Sequence, residues 1–374
     1  MSLLTGLSPA LLTRLSTLKH HLLPHTSRAY IVGGAVRDLF LGNPIKDLDI
    51  EVYDMTPEAF DELMKTLGAK GVGKSFFVYK YEGIDLSLPR TEQKTAKGHQ
   101  GFCVEVCQEE RLASSRRDFT MNALMVHLFT EEVVDFWGGR ADIHARVIRM
   151  VDPATFAQDP LRVLRGVQFA ARFGFHIAPQ TLQVMRGLNM SELSQTRITW
   201  ELEKLFRAPF VSYGVLYMYR LGFLKSLLHT TPSCHTLVAF SRALKDHAPH
   251  CPTHLRPYLW LFFASPLLGL DTSRVLSALA LPLHYHRALL RVPFGHEKMS
   301  DYELVEVAFE RPLNTWVGVC RPGYVPRAKA LGVYERVFDG GVSARELLAE
   351  GFSGKALGEE KRKRIQERAK ILYM

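Results

Sequence analysis

Cysteine is scarce in this chain: five residues in 374, at Cys103, Cys107, Cys234, Cys251 and Cys320. An odd number at irregular spacing excludes the disulfide framework of a small secreted domain. Cys103 and Cys107 have no second pair to complete a four-ligand zinc site. The expectation is free thiols, buried or half-exposed. Long apolar runs are also missing. No apolar stretch reaches the ~18 uncharged residues of a membrane-crossing helix, and the apolar segment 216–228 is broken by Arg220 and Lys225. At the N-terminus, Ala10-Leu11-Leu12 is too short for a signal peptide and is followed by Arg14, Lys19, His20 and His21. No membrane partner is expected, and the cytoplasm is the expected compartment. No internal repeat, low-complexity tract or His-Asp dipeptide occurs.

What is present is an ordinary globular balance, 47% hydrophobic and 23% charged. A chain of 374 residues exceeds the roughly 250–300 that one core can serve, so two or more domains are expected. The net charge of +9 suggests a polyanionic partner, weakly, since many basic proteins bind none.

The pattern predicts a helix at 8–23 with Ser8 and Pro9 at its start, a strand at 28–32, a break at Gly33-Gly34, and a helix from Ala35 to Leu41. A strand at 45–53 and a helix at 56–67, with Phe60, Leu63, Met64 and Leu67 on one face, follow. Further strands are expected at 75–81, 83–88, 102–106 and 133–136. After Val151 the texture becomes helical: 160–173, 179–188, 199–206, 211–221, 236–246 and a basic helix at 358–374. The expected plan is an α/β head followed by a helical remainder.

Within Ile45-Lys46-Asp47-Leu48-Asp49-Ile50-Glu51-Val52, the acids alternate with apolar residues, so Asp47, Asp49 and Glu51 share one strand face. Like charges on one face repel. The arrangement makes sense where divalent cations sit between the carboxylates, and hard oxygen ligands suit Mg²⁺. On its own the row fits the solvent face of an antiparallel sheet equally. Upstream, Gly33-Gly34-Ala35-Val36-Arg37-Asp38 joins strand to helix, where paired glycines let backbone amides approach a phosphate and Arg37 adds a cation.

Gly-Gly, Arg and Asp-x-Asp within twenty residues resemble the class II tRNA nucleotidyltransferase and poly(A) polymerase family. The resemblance runs over roughly residues 28–207. It implies an α+β fold, with a polymerase-β-like palm followed by an all-helical neck, body and tail. The expected domains are 1–150 (head), 151–215 (neck) and 216–374 (body and tail, binding tRNA). Asp47 and Asp49 would be the metal ligands, with Asp85 of Ile84-Asp85-Leu86-Ser87 as a third palm carboxylate. Gly33, Gly34 and Arg37 would meet the nucleotide. Arg116-Arg117-Asp118-Phe119-Thr120-Met121-Asn122 resembles the second motif, in which Arg117 faces phosphates and Asp118 and Asn122, four apart on a helical face, grip the ribose. Asp135, Gly138-Gly139 and Asp142 resemble the third, linked to head–neck movement. In Gln158-Asp159-Pro160-Leu161-Arg162-Val163-Leu164-Arg165, the residues Asp159, Arg162 and Arg165 recur every three positions and resemble the amino-acid template that selects CTP or ATP. Gln158 departs from the acidic residue usual there. The same residues also fit a capped basic surface helix.

The polar stretch 89–102, with Arg90 and Glu92, resembles the flexible loop of members that add a complete CCA. At 73–77, Gly-Lys-Ser-Phe-Phe lacks the arginine pair of the poly(A) branch. The resemblance implies addition of C, C and A to tRNA from CTP and ATP with Mg²⁺. Its rivals are A-only, CC-only or poly(A) addition, and an inactive RNA-binding palm. Without a His-Asp dipeptide, no phosphohydrolase domain is expected, and His247, His250 and His254 read as a surface turn. Lys361-Arg362-Lys363-Arg364, Arg368 and Lys370 read either as a solvated face or as phosphate contacts. Gly354–Gly358 resembles a turn near the tail of bacterial relatives.

Overall fold

A computed structural model describes residues 3–45, 47–72, 78–94, 102–191, 193–290, 292–295 and 298–374. The chain divides into two units, Met1–Ser194 and Gln195–Met374.

In the first unit the elements run α1 (Pro9–Leu22), β1 (Ala29–Val32), α2 (Gly34–Leu41), β2 (Leu48–Val52), α3 (Pro57–Thr66), β3 (Lys70–Gly71), β4 (Val78–Tyr81) and β5 (Ile84–Ser87). They continue with β6 (Arg90–Lys94), β7 (Phe102–Val106), α4 (Glu110–Ser115), β8 (Met125–His127), β9 (Val133–Val134), α5 (Gly139–Ala145) and β10 (Val147–Ile148). The unit closes with α6 (Pro153–Ala157), α7 (Leu161–Phe173), β11 (His176–Ile177) and α8 (Pro179–Gly187).

Among the described residues, seven strands form one sheet in the order β3-β4-β5-β2-β1-β8-β9. Only β2 and β5 pair in parallel in it, with Asp49 opposite Asp85, while β1 pairs antiparallel with β2, Val32 opposite Asp49. Central β1, Ala-Tyr-Ile-Val, is buried along its whole length, as a strand covered on both faces must be. In β2, Leu48, Ile50 and Val52 are fully buried. Each such side chain contributes about 1.5–3 kcal/mol. Like-charge pairs across a sheet cost about 0.2–1 kcal/mol. The apolar face therefore holds the strand in place despite its acid row.

Local signals explain the helix starts. The Ser8 hydroxyl accepts from the Leu11 amide at 3.3 Å and the Thr56 hydroxyl from the Ala59 amide at 3.2 Å, each with proline next in the chain. Leu11, Leu15, Leu18 and Leu22 form the buried stripe of α1, and Phe60, Leu63 and Met64 that of α3.

Two expectations change in this unit. The stretch 89–102, expected as a loop, contains β6, which pairs with β7, at the expected strand 102–106, as an antiparallel hairpin in its own two-stranded sheet, with Arg90 opposite Val106. Residues 95–101 and 73–77, and the side chains of Glu92 and Cys103, lie outside the described residues. Asp118 and Asn122 do not lie on an α-helix: Phe119 is extended and bridges Met150, and a 3₁₀ turn, Thr120–Asn122, follows.

The second unit is helical. It begins with α9 (Gln195–Phe206), α10 (Val211–Arg220), α11 (Phe223–Leu228), α12 (Cys234–His247) and α13 (Arg256–Leu267) and ends in a helix at Gly354–Tyr373. Trp260 is fully buried between Phe206 (5.2 Å between rings) and Phe240 (5.1 Å). Three expectations are corrected here. Cys251 and Cys320 form a disulfide, a pairing across 69 residues that spacing does not reveal; Cys107 and Cys234 are free thiols. His247 is buried, its ring tilted against Phe263 at 4.5 Å between centroids and hydrogen-bonded to the Ala243 carbonyl at 2.6 Å. Gly354–Gly358 is the first turn of the terminal helix and not a separate turn. Its arginines are engaged within the unit: Arg364 with Glu350 and Glu360, Arg362 with Glu310, and Arg368 with the Gly340 carbonyl. Among the described residues no helix is long and apolar enough to cross a membrane.

Candidate active site

The site forms where β1, β2 and β5 meet the start of α2. Asp47 precedes β2, Asp49 lies within it, and Asp85 is Asp49's partner on β5. Asp47 and Asp49 are exposed and Asp85 is partly so, in an ion pair with Lys80 at 3.3 Å. Asp49 is open to solvent yet walled by protein. Desolvation raises its pKa; the Arg117 charge opposes this, and the charges of Asp85, Glu51 and Asp47 add to the rise. An acid row that strains to hold its own negative charge fits a divalent cation, which would relieve both repulsion and desolvation. Among the described residues no three potential ligands converge into a complete cage. Mg²⁺ commonly takes one or two protein carboxylates and completes its shell with water and substrate phosphates; Asp47 and Asp49 are the residues that would hold it.

Gly33 is the hinge of the cradle. Its φ of +73° is in the region that side chains disfavour. A Cβ there would stand 3.0 Å from Arg117 Nη1 and 3.5 Å from Asp49 Oδ2. Gly33 therefore makes room for a cation and an acid as well as exposing the amides that begin α2. Gly139 plays a packing role, since a Cβ there would collide with the Thr120 carbonyl and Leu124.

Glu51 shares the strand face of Asp49 but is only 1% exposed. Its Oε1 accepts from Arg116 Nη2 at 3.0 Å and Arg117 Nη2 at 2.8 Å, and Oε2 from the Tyr53 hydroxyl at 3.3 Å. Burial alone would raise its pKa; the two guanidiniums overcome this and hold it below the usual carboxylate range. The sequence reading gave Glu51 no role. The tandem arginines were the available signal, because a strand-borne acid without a cation would not be buried.

Arg37 stands differently from its expected posture. It is 4% exposed, with Nε and Nη2 donating to Asp38 (3.2 and 2.9 Å) and Nη1 to Asn122 Oδ1 (2.6 Å). It also lies over the rings of Phe169 and Phe173 at 5.4 and 4.8 Å. Burial pushes its pKa down, with the Asp38 hydrogen bond and charge opposing. A guanidinium so enclosed orients Asn122 and is not turned toward a phosphate. Asn122 in turn donates to Asp118 Oδ1 at 2.9 Å, and Arg165 Nε to Asp118 Oδ2 at 2.7 Å. The chain Asp38–Arg37–Asn122–Asp118–Arg165 thus ties α2, the 3₁₀ turn and α7 together. Although the helix expected at 118–122 is absent, the Asp118–Asn122 contact it implied is present.

The expected base-selecting residues sit at the start of α7, which begins at Leu161. Asp159 Oδ1 accepts from the Leu161 amide at 3.1 Å. Arg162 donates to the Thr155 carbonyl at 2.8 Å and to the Arg116 carbonyl. Gln158 ends α6. In the expected third motif, Asp135 caps α5 by accepting from the Gly139 and Arg140 amides at 2.8 and 3.0 Å. Asp142 accepts from the Thr120 hydroxyl at 2.7 Å and pairs with Arg149 at 3.1 Å.

Residues 29–149 match the poly A polymerase head domain, and residues 174–234 match a probable RNA and SrmB-binding site of polymerase A. A multifunctional CCA protein of Methylobacillus flagellatus is 39% identical over 303 residues, covering 76% of this chain and 69% of that protein. The chain belongs to the tRNA nucleotidyltransferase and poly(A) polymerase family. Multifunctional CCA proteins of Nitrosospira multiformis and an Azoarcus species are 45% and 46% identical over 167 and 168 residues, 43% of this chain in each case. These matches span 38% and 39% of those two relatives, about two-fifths of their length. Among solved structures, the Bacillus stearothermophilus CCA-adding enzyme in complex with CTP superposes with a TM-score of 0.71 at 26% identity, over 96% of this chain and 93% of that one. The Thermotoga maritima CCA-adding enzyme complexed with tRNA-CCA gives 0.71 at 20% identity, over 98% and 93%, and so speaks for the fold. The head of the chain is therefore the polymerase-β-like palm that the family resemblance implied.

Proposed function

We propose that this nucleotidyltransferase adds C, C and A to the 3′ end of tRNA from CTP and ATP, without a template and with release of pyrophosphate. The observation that carries the reading is the juxtaposition of Asp49 and Arg117 at Gly33, where α2 begins, with Asp85 opposite Asp49 on β5. The relative solved with CTP and the relatives called CCA proteins support it. Mg²⁺, held by Asp47 and Asp49, would activate the RNA 3′-hydroxyl and neutralise charge on the leaving pyrophosphate. Asp85 would add negative charge to that site. Arg117 would accept the triphosphate beside the Gly33 and Gly34 amides. Arg37 would act behind Asn122, which with Asp118 would meet the ribose. Asp159, Arg162 and Arg165 would select the base, and Arg90 and Glu92 would belong to the loop acting between additions. The assigned domains are 1–150 as head, 151–215 as neck and 216–374 as tRNA-binding body and tail, in a cytoplasmic enzyme. With no His-Asp dipeptide in the sequence, the reading gives it no phosphohydrolase activity.

The test is product length on tRNA ending at the discriminator base, supplied with CTP and ATP. Three added nucleotides support the reading. A stop after CC, addition of A only to tRNA already ending in CC, or a long A tail would each assign the same chemistry to another product.

A further inference from the structure

Building on that reading, we propose that Glu51 is a positioning residue for the triphosphate, acting by holding Arg117 against the glycine cradle. One Glu51 oxygen accepts from both Arg116 and Arg117, at 3.0 and 2.8 Å. Held there by Nη2, Arg117 carries its other terminal nitrogen, Nη1, to 3.0 Å from where a Gly33 side chain would begin. Asp49 Oδ2 stands 3.5 Å from the same point. The guanidinium thus reaches the lip of the cradle between the glycine backbone and the metal-binding acids. The segment is also gripped from the other side: Arg162 donates to the Arg116 carbonyl and Arg165 to the Asp118 carboxylate. Strand β2 and helix α7 therefore set the position of 116–118 together.

Stability gives no sufficient reason for Glu51. A buried acid between two arginines is often no better than apolar residues of the same volume. Without it, Arg117 would lose the buried acceptor that fixes its terminal nitrogen Nη2. A pre-placed guanidinium loses less entropy on meeting a phosphate. Glu51 touches no reacting atom; its action goes through Arg117.

The experiment uses inorganic tripolyphosphate as the probe, so that it reads the cradle without turnover. Full-length wild type, Glu51→Gln and Glu51→Asp are titrated by calorimetry and assayed for KM and kcat with ATP. Phe60→Leu, a core change in α3 away from the cradle, controls for destabilisation alone. Losing one charge-assisted contact predicts an affinity about tenfold weaker in Glu51→Gln. KM should rise with it and kcat change less, Glu51→Asp should recover part of the loss, and Phe60→Leu should bind as wild type does. Equal tripolyphosphate affinity in folded Glu51→Gln and wild type would overturn the inference. So would a loss equalled by Phe60→Leu, which would make the role structural. If wild type itself binds neither tripolyphosphate nor ATP, the site reading fails first, and the two failures are told apart.

Discussion

Asp118 shows how far a buried carboxylate depends on its partners. Burial alone would raise its pKa, but the Arg165 charge, the Asn122 and Arg165 hydrogen bonds and the Arg162 charge hold it below the usual range. A folded-state pKa below the unfolded one contributes stability above the unfolded value, near 3.9 for aspartate, and that contribution is lost as pH falls through the folded one. Arg165→Ala should therefore cost about 2–3 kcal/mol at neutral pH in urea unfolding. That is less than the 3–5 of a fully enclosed pair, because the Arg165 side chain is 35% exposed. The gap between variant and wild type should narrow below about pH 4. A pH-independent difference would show that the Asp118 charge is not its source. This network was half legible in the sequence. The spacing of Asp118 and Asn122 was visible, but Arg37 was assigned to phosphate because sequence cannot show that Asp38 and two phenylalanines enclose it. Glu51 was grouped with the acids of its strand, since alternation gives the face a residue points to and not what covers it.

At the scale of elements, caps and stripes were readable because their causes are local: Ser8 and Thr56 before proline, and apolar residues at helical spacing. Strand β7 was expected at its observed bounds, but its hairpin partner β6 was not. Arg-Thr-Glu-Gln-Lys has no apolar alternation, and its partner strand lies outside the large sheet, so no period-two signal marks it. The turn from β1 into α2 was legible as Gly-Gly, but its use was not: Gly33 yields space to Arg117 and Asp49. Gly33→Ala should lower stability by about 1 kcal/mol or more, since alanine must adopt a positive φ. It should also weaken ATP binding by displacing Arg117. Unchanged ATP affinity with only the thermal midpoint lowered would reduce Gly33 to a backbone role.

For the whole molecule, the plan of α/β head and helical remainder followed from texture alone, with a two-residue strand, β11, among the later helices. The two units are each built on local helix or strand periodicity, which is why the plan was visible. The Cys251–Cys320 disulfide, the burial of His247 and the engagement of the terminal arginines depend on residues distant in sequence, which periodicity does not report. Everything chemical in this account rests on Asp49 and its neighbours acting together with a divalent cation. Its most direct test is single-nucleotide incorporation from CTP into tRNA ending at the discriminator base, measured for wild type and Asp49→Asn across a Mg²⁺ titration after chelation. The account predicts no incorporation by chelated wild type, saturable recovery with Mg²⁺, and a rate at least roughly a thousandfold lower in the variant at every concentration. Incorporation that survives chelation, or an Asp49→Asn variant as fast as wild type, would contradict it.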